Sequence, residues 1–180
     1  MRRMRCCLLV QELTVEECRQ ALSDVGFGRL ACARENQPYV VPVSFAVDKG
    51  YAYLFSMPGQ KVAWMRENPR VCLEVESVVS KTQWTTIVVL GHYEELPDTP
   101  DYEAGRLRAR EVLQRRITWW EPGGVAVADH AVGREATPVF YRISLSNVTG
   151  RRGVPAPDEA PASSSTIAGG GWFPSPSILL

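Results

Sequence analysis

The residues best suited to chemistry lie in "YLFSMPGQKVAWMRENPRV", Tyr53 to Val71. An alternating strand pattern runs into Pro58-Gly59. A short helix pattern follows at once over Gln60 to Glu67, and Asn68-Pro69 ends it. The first amides of such a helix have no intrahelical partner and point at whatever lies beyond the turn. The helix dipole favours an anion there by about 0.3–1 kcal/mol. Gly59 lets a ligand approach the backbone closely, Ser56 offers a hydroxyl from the strand end, and Lys61 puts a full cation in the first turn. A cation at this end opposes the dipole, so Lys61 makes sense if an anion such as a phosphate satisfies both. A solvated lysine in an ordinary strand-to-helix turn is the other reading of the same residues.

Other candidates are isolated. His92 and His130 are the only histidines. His92 follows Gly91 in a strand pattern and reads as structural or surface; His130 lies in the loop "GGVAVADHAVG" with no partner evident in the sequence. Glu74 and Glu76 flank Val75 and read as the solvated face of a strand rather than an acid–base pair. Cys6, Cys7, Cys18, Cys32 and Cys72 show neither C-x-x-C nor zinc spacing. Cys18, Cys32 and Cys72 read as small core residues. Trp119-Trp120-Glu121-Pro122 carries either an indole stacked on a ligand or a helix end packed on the sheet.

The elements that must position the Gly59 junction are mostly strands. Thr14-Val15-Glu16-Glu17 is a capping box, and Val15, Cys18, Leu22 and Val25 keep helical spacing until Gly26, so a helix is predicted from about Thr14 to Val25. "GRLACAR" at Gly28 to Arg34 is a short strand. "PYVVPVSFAVD", Pro38 to Asp48, reads as one strand with Val41, Val43, Phe45 and Val47 on one face, and Pro42 places it at a sheet edge. Asp48-Lys49-Gly50 turns it back onto Tyr51 to Ser56 as an antiparallel hairpin. "RVCLEVE", "QWTTIVVLGHYEEL" and "VFYRISLSNVTG" complete six strands. Thr99-Pro100 is predicted to cap a longer helix whose stripe is Leu107, Val112, Leu113 and Ile117. Few helices and short turns point to a small antiparallel barrel, and no G-x-G-x-x-G speaks for a dinucleotide fold.

The composition is that of a globular protein, with 45% hydrophobic and 22% charged residues among 180. Twenty basic residues balance twenty acidic ones, so nothing suggests an electrostatic grip on nucleic acid. No apolar run approaches the ~20 residues of a membrane helix, and the expectation is a cytoplasmic protein. After Gly150 the composition turns to Pro, Ala, Ser and Gly. Residues 1–150 are therefore expected to form one domain and residues 151–180 a flexible tail with a sticky end at Trp172 and Phe173.

Taken in order, "PYVVPVSF", "GQKVAWMRENPRVCLEVE" and "WTTIVVLG" make the chain from about Leu13 to Gly150 resemble the FMN-binding split-barrel superfamily. The resembling branch is the one related to pyridoxamine 5'-phosphate oxidase that includes the nitroimidazole-resistance proteins. The resemblance implies a mainly β fold, a six-stranded antiparallel Greek-key split β-barrel with peripheral helices. It also implies a homodimer with FMN at the subunit interface. By it, Val43, Ser44 and Phe45 line the isoalloxazine edge, Ser56, Gly59, Gln60 and Lys61 hold the phosphate, and Gln83, Trp84 and Thr85 reach across from the other subunit. The implied activity is a flavin-dependent oxidoreductase on a small molecule, with a reduced nicotinamide or the substrate as electron source. Phe55 stands where the nitroimidazole-resistance relatives commonly carry a histidine, and Arg29 is the nearest match to the further phosphate arginines of the oxidases. A flavin-storing or sensing module remains an alternative, as does a barrel that holds haem or a deazaflavin, with His92 and His130 the available haem ligands.

Overall fold

The computed structural model describes residues 8–115 and 137–156. In chain order these form β1 (Leu8–Glu12), α1 (Val15–Val25), β2 (Phe27–Arg34), β3 (Gln37–Ser44), β4 (Ala46–Asp48) and β5 (Tyr51–Ser56). Then come α2 (Gln60–Glu67), β6 (Arg70–Ser80), β7 (Gln83–Glu95), a 3-10 turn at Pro100–Tyr102, α3 (Glu103–Gln114), β8 (Val139–Ser144) and β9 (Val148–Pro155). Every strand pairing is antiparallel.

The strands follow the path β3-β2-β6-β7-β8-β5-β4, with β9 on β7 and β1 on β9. The two ends of that path, β3 and β4, are consecutive in the chain and separated only by Phe45. The sheet is thus closed through the chain itself, which gives the split barrel. Phe45 is fully buried at this seam, and its N–H donates to the Gly26 carbonyl at 3.0 Å. Leu30, Leu54, Leu73, Val75, Ile87, Val89, Tyr141 and Ile143 fill the interior. A second core of Ala46, Tyr53, Leu96, Ala109, Val112 and Phe140 lies under α3 on the other side of β5 and β8.

The mainly β class stands, while the number of strands does not: nine are present among the described residues rather than six. The run from Pro38 to Asp48 breaks at Phe45. Its first part pairs with β2 along its length (Phe27↔Ser44 to Arg34↔Gln37), and only Ala46–Asp48 forms the expected hairpin with β5. The turn that makes this β2–β3 hairpin is Glu35-Asn36, both at positive φ (49° and 64°), as are Lys49 and Gly50 (45° and 81°) in the other. Both are the primed two-residue turns whose twist matches the strands. Pro42 lies on an edge strand, as its missing N–H requires. "VFYRISLSNVTG" divides at Leu145–Asn147 into β8 and β9, and β1 was not anticipated.

The helices differ less. The capping box at Thr14 is present, with the Glu17 carboxylate accepting from the Thr14 N–H at 2.8 Å, and Gly26 closes α1 in the left-handed region. α2 has the predicted bounds. The third helix is corrected: Pro100 starts a 3-10 turn, Thr99 makes no side-chain cap, and α3 begins at Glu103. Leu107 is 59% exposed rather than buried. The buried stripe runs through Ala109 and Val112, because the Arg106 and Arg110 guanidiniums turn inward over the Phe140 ring at 5.6 and 5.7 Å. Ile117 lies outside the described residues.

Ion pairs such as Arg66 to Glu95 and Arg108 to Asp48 tie helices to the sheet, and Arg142 to Glu94 joins β8 to β7. The Arg108 guanidinium is forked on Asp48 and holds that carboxyl below its ordinary range, fastening α3 to the β4–β5 hairpin.

Among the described glycines the closest approach to backbone is at Gly28, where an added Cβ would stand 2.4 Å from the Glu74 carbonyl oxygen on the neighbouring strand. Backbone cannot yield as a side chain does. Gly28→Ala is expected to destabilise the protein by about 2 kcal/mol or more; equilibrium urea unfolding measures it.

Candidate functional site

The junction between β5 and α2 passes from strand through Gly59 directly into the helix, as the sequence suggests. Gly59 caps α2 with an extended backbone (φ 174°), open to any residue. What glycine supplies is room: a Cβ built there meets nothing within 4 Å. No side chain caps α2, and its first turn holds no acid. The Gly59 carbonyl accepts the Ala63 N–H, which starts the helix and leaves the earlier amides facing outward. Gln60 is exposed beside it, and Ser56, half-buried at the end of β5, donates its hydroxyl to the Met57 carbonyl at 2.8 Å.

Lys61 is half-buried, and no carboxylate pairs with it among the described residues. Burial pushes the ammonium below the ordinary lysine range. The titrating group closest to it in effect is the buried Cys32 thiol of β2, on which α2 packs. Burial raises the Cys32 thiol and Lys61 lowers it. Tyr141 of β8, within electrostatic reach of Cys32, is fully buried; its hydroxyl has no hydrogen-bond partner among the described residues, and desolvation pushes its phenol up. Spacing in the sequence does not show Cys32 beside Lys61, because it comes from a strand distant in the chain. A basic side chain partly withdrawn from water, beside unpaired amides and an open backbone, has the chemistry to receive an anion.

Val43, Ser44 and Phe45 stand together at the end of β3 and the seam, opposite Phe27 and Gly28 of β2. Gln83, Trp84 and Thr85 stand elsewhere. They open β7 opposite Ser77, Val78 and Ser80, at the end of the β6–β7 ribbon that β2 does not reach. Within one subunit they are not brought to Lys61. The Trp84 indole lies across Gly153 of β9, where a Cβ would stand 2.5 Å from Nε1.

Other candidates are placed clearly. Arg29 points to the outer face, opposite to Cys32, and its guanidinium donates to Glu76 at 2.7 Å and Glu74 at 3.2 Å. It is spent there and does not join Lys61. Glu74 and Glu76 share the outer face, as expected. His92 is exposed, its N–H bound to the Ser144 hydroxyl. Phe55 packs on Phe140 at 6.0 Å in the second core, away from the barrel interior. Trp64 stacks on Tyr39 at 5.5 Å. Cys18 and Cys32 are buried and Cys72 half-buried. His130, Trp119, Trp120, Cys6 and Cys7 lie outside the described residues. No helix of the described residues is long and apolar enough to cross a membrane, and no metal-binding cluster occurs among them.

Known proteins are similar in sequence or in fold. A protein of Rhizobium meliloti without an assigned function is 38% identical over 144 residues, 80% of this chain and 95% of its own length. The crystal structure of a FAD-binding protein from Mesorhizobium loti is 40% identical, covering 81% of this chain and 98% of its own, with a TM-score of 0.66. The structure of the FAD-binding protein from Mycobacterium smegmatis, 19% identical over 79% of this chain and 98% of its own, shares the fold with a TM-score of 0.56. The family model described as pyridoxamine 5'-phosphate oxidase matches residues 14–152, which span the barrel and the Gly59–Lys61 junction. This chain belongs to the pyridoxamine 5'-phosphate oxidase family.

Proposed function

We propose that the protein binds FMN and acts as a flavin-dependent oxidoreductase on a small molecule in the cytoplasm. The observation that carries this reading is the half-buried Lys61 ammonium, without a carboxylate partner among the described residues, at the uncapped start of α2. A phosphate fits that place: it accepts from the first amides of α2 and from Lys61, and Gly59 leaves it space. The 40% identical protein described as FAD-binding supports a flavin as the ligand. When bound, the flavin supplies the redox chemistry, and the protein's part is to bind, orient and shield it. In this reading Ser56, Gly59, Gln60 and Lys61 hold the phosphate and Val43, Ser44 and Phe45 set the ring edge.

The same reading makes the protein a homodimer. The outer face of the barrel sheet carries Val40 (56% exposed), Leu90 (57%) and Val88 (37%) in neighbouring positions, with Ala31 and Cys72 between them. An apolar stripe of this kind marks an interface. A second subunit on it is also the means by which Gln83, Trp84 and Thr85 would meet a flavin, since their own subunit keeps them from Lys61.

The deciding experiment is an absorption spectrum of the freshly purified protein, with mass analysis of what denaturation releases. The expected result is a flavin spectrum and FMN; release of FAD would keep the phosphate site and change the cofactor. A protein that stays colourless with either flavin overturns the reading, and a haem spectrum would turn attention to the histidines.

Lys61 also predicts a trade between stability and binding. Its pKa in the folded protein lies below that in the unfolded chain, so between the two values the unfolded chain binds more protons and stability rises with pH. At neutral pH the folded protein still carries the burial cost of the charge. Lys61→Met is therefore expected to stabilise the flavin-free protein at pH 7, read from urea midpoints. It should also weaken FMN binding by about 1–3 kcal/mol, the loss of a charged hydrogen bond, read by fluorescence titration. For the dimer, Leu90→Asp places a charge in the apolar stripe, and sedimentation equilibrium should show the mass fall from two chains to one.

A further inference from the structure

We infer, on the reading of Lys61 as a phosphate ligand, that Glu95 is a positioning residue for that site: by holding Arg66 near the far end of α2, it sets where Lys61 and the first amides of the helix stand. α2 is loose at its start and fastened at its finish. Met57, Pro58, Gly59 and Gln60 are all exposed, Gly59 has open space around it, and no side chain caps the first turn. The fasteners gather at the other end. Arg66 forks on Glu95 at 2.7 Å through both Nε and Nη2, Glu67 meets Arg34 at 3.0 Å, and the Asn68 side-chain amide donates to the Ala33 carbonyl at 2.9 Å. A clasp placed there fixes the helix without using up the amides and the ammonium that a ligand needs.

Of these fasteners Glu95 is the firm one. The Glu67–Arg34 pair is exposed on both sides, which makes it worth little. The bond from Asn68 to Ala33 fixes a point and leaves the helix free to swing about it. Glu95 is half-buried and accepts three hydrogen bonds, two from Arg66 and one from the Tyr93 hydroxyl at 2.8 Å. Tyr93 is buried, its ring lies 5.2 Å from that of Tyr141, and its N–H donates to the Pro69 carbonyl just past α2. Glu95 itself stands opposite Tyr141 in the β7–β8 ladder. The carboxylate is thus set in the barrel wall, and Arg66 holds it below the ordinary carboxylate range, so it stays ionised at neutral pH. A forked guanidinium fixes direction as well as distance. Lys61 stands five residues back along the helix, about 7.5 Å at ~1.5 Å per residue, so a swing of about 10° at Arg66 carries it by about 1.3 Å. Binding geometry is lost beyond about 0.5 Å.

Riboflavin carries the same ring as FMN without the phosphate, so the two flavins together make the test. Both are titrated into the full chain by flavin fluorescence, and urea midpoints are measured alongside. The parent should bind FMN about tenfold or more tightly than riboflavin, as a charged hydrogen bond to the phosphate requires. Glu95→Gln keeps an acceptor for Tyr93 and removes the charge that holds Arg66. Its FMN affinity should fall about tenfold while its riboflavin affinity stays within about twofold, because only the phosphate contacts move. Arg66→Met, at an exposed position, should give the same loss, and it reports in place of Glu95→Gln should that variant not fold. A clasp that only stabilises the fold would lower the urea midpoint and leave the preference for FMN intact, or weaken both flavins alike. Either result overturns the role of Glu95 and leaves the phosphate site standing. A parent that binds the two flavins equally, or binds neither, overturns the phosphate reading itself and the role of Glu95 with it.

Discussion

The whole barrel hangs on β7. Its 13 residues pair with β6 over nearly their full length, with β9 through their first half and with β8 through their last residues. No other described strand joins three partners. A strand so placed must be apolar inward throughout its centre, and Ile87 and Val89 are buried there. Its outward residues at the same level, Val88 and Leu90, are apolar and exposed as well. The same strand therefore organises the interior and carries an exposed apolar patch on the outer face.

α2 is the other consequence of this frame. It spans the step from β5 to β6, so its start is held where the barrel ends and its length is limited to two turns. A helix that short gains little from propensity. It is held by Val62 and Met65 in the core and by the Arg66–Glu95 fork to the end of β7, which Tyr93 joins through its hydroxyl at 2.8 Å. Lys61 is the one residue of the helix that works against folding, since it surrenders water without gaining a carboxylate. A cost of that kind persists where a ligand offsets it.

The site was legible in part because its signals are local. Gly59, Gln60 and Lys61 follow a strand and open a helix, and adjacency in the chain is adjacency in space. The capping box and the bounds of α2 were legible for the same reason. The division of Pro38–Asp48 was not. Alternation tells which residues share a face, but it does not tell which strand lies alongside, and β3 chose β2 because Glu35-Asn36 makes a better two-residue turn than was evident. Leu107 misled because a helical stripe is read from apolar types alone, whereas α3 lays two arginines on Phe140.

By itself the sequence determined the class of fold, the strand faces, the helix start at Thr14 and the strand-to-helix junction at Gly59–Lys61, all of which follow from neighbours within about one turn or one hairpin. Only the tertiary structure decided that Cys32 lies by Lys61, that Arg29 is spent on Glu74 and Glu76, and that Gln83, Trp84 and Thr85 stand at the end of the β6–β7 ribbon that β2 does not reach. The reason is that burial and charge pairing depend on which strands lie side by side, and in an antiparallel barrel that choice is made between segments tens of residues apart.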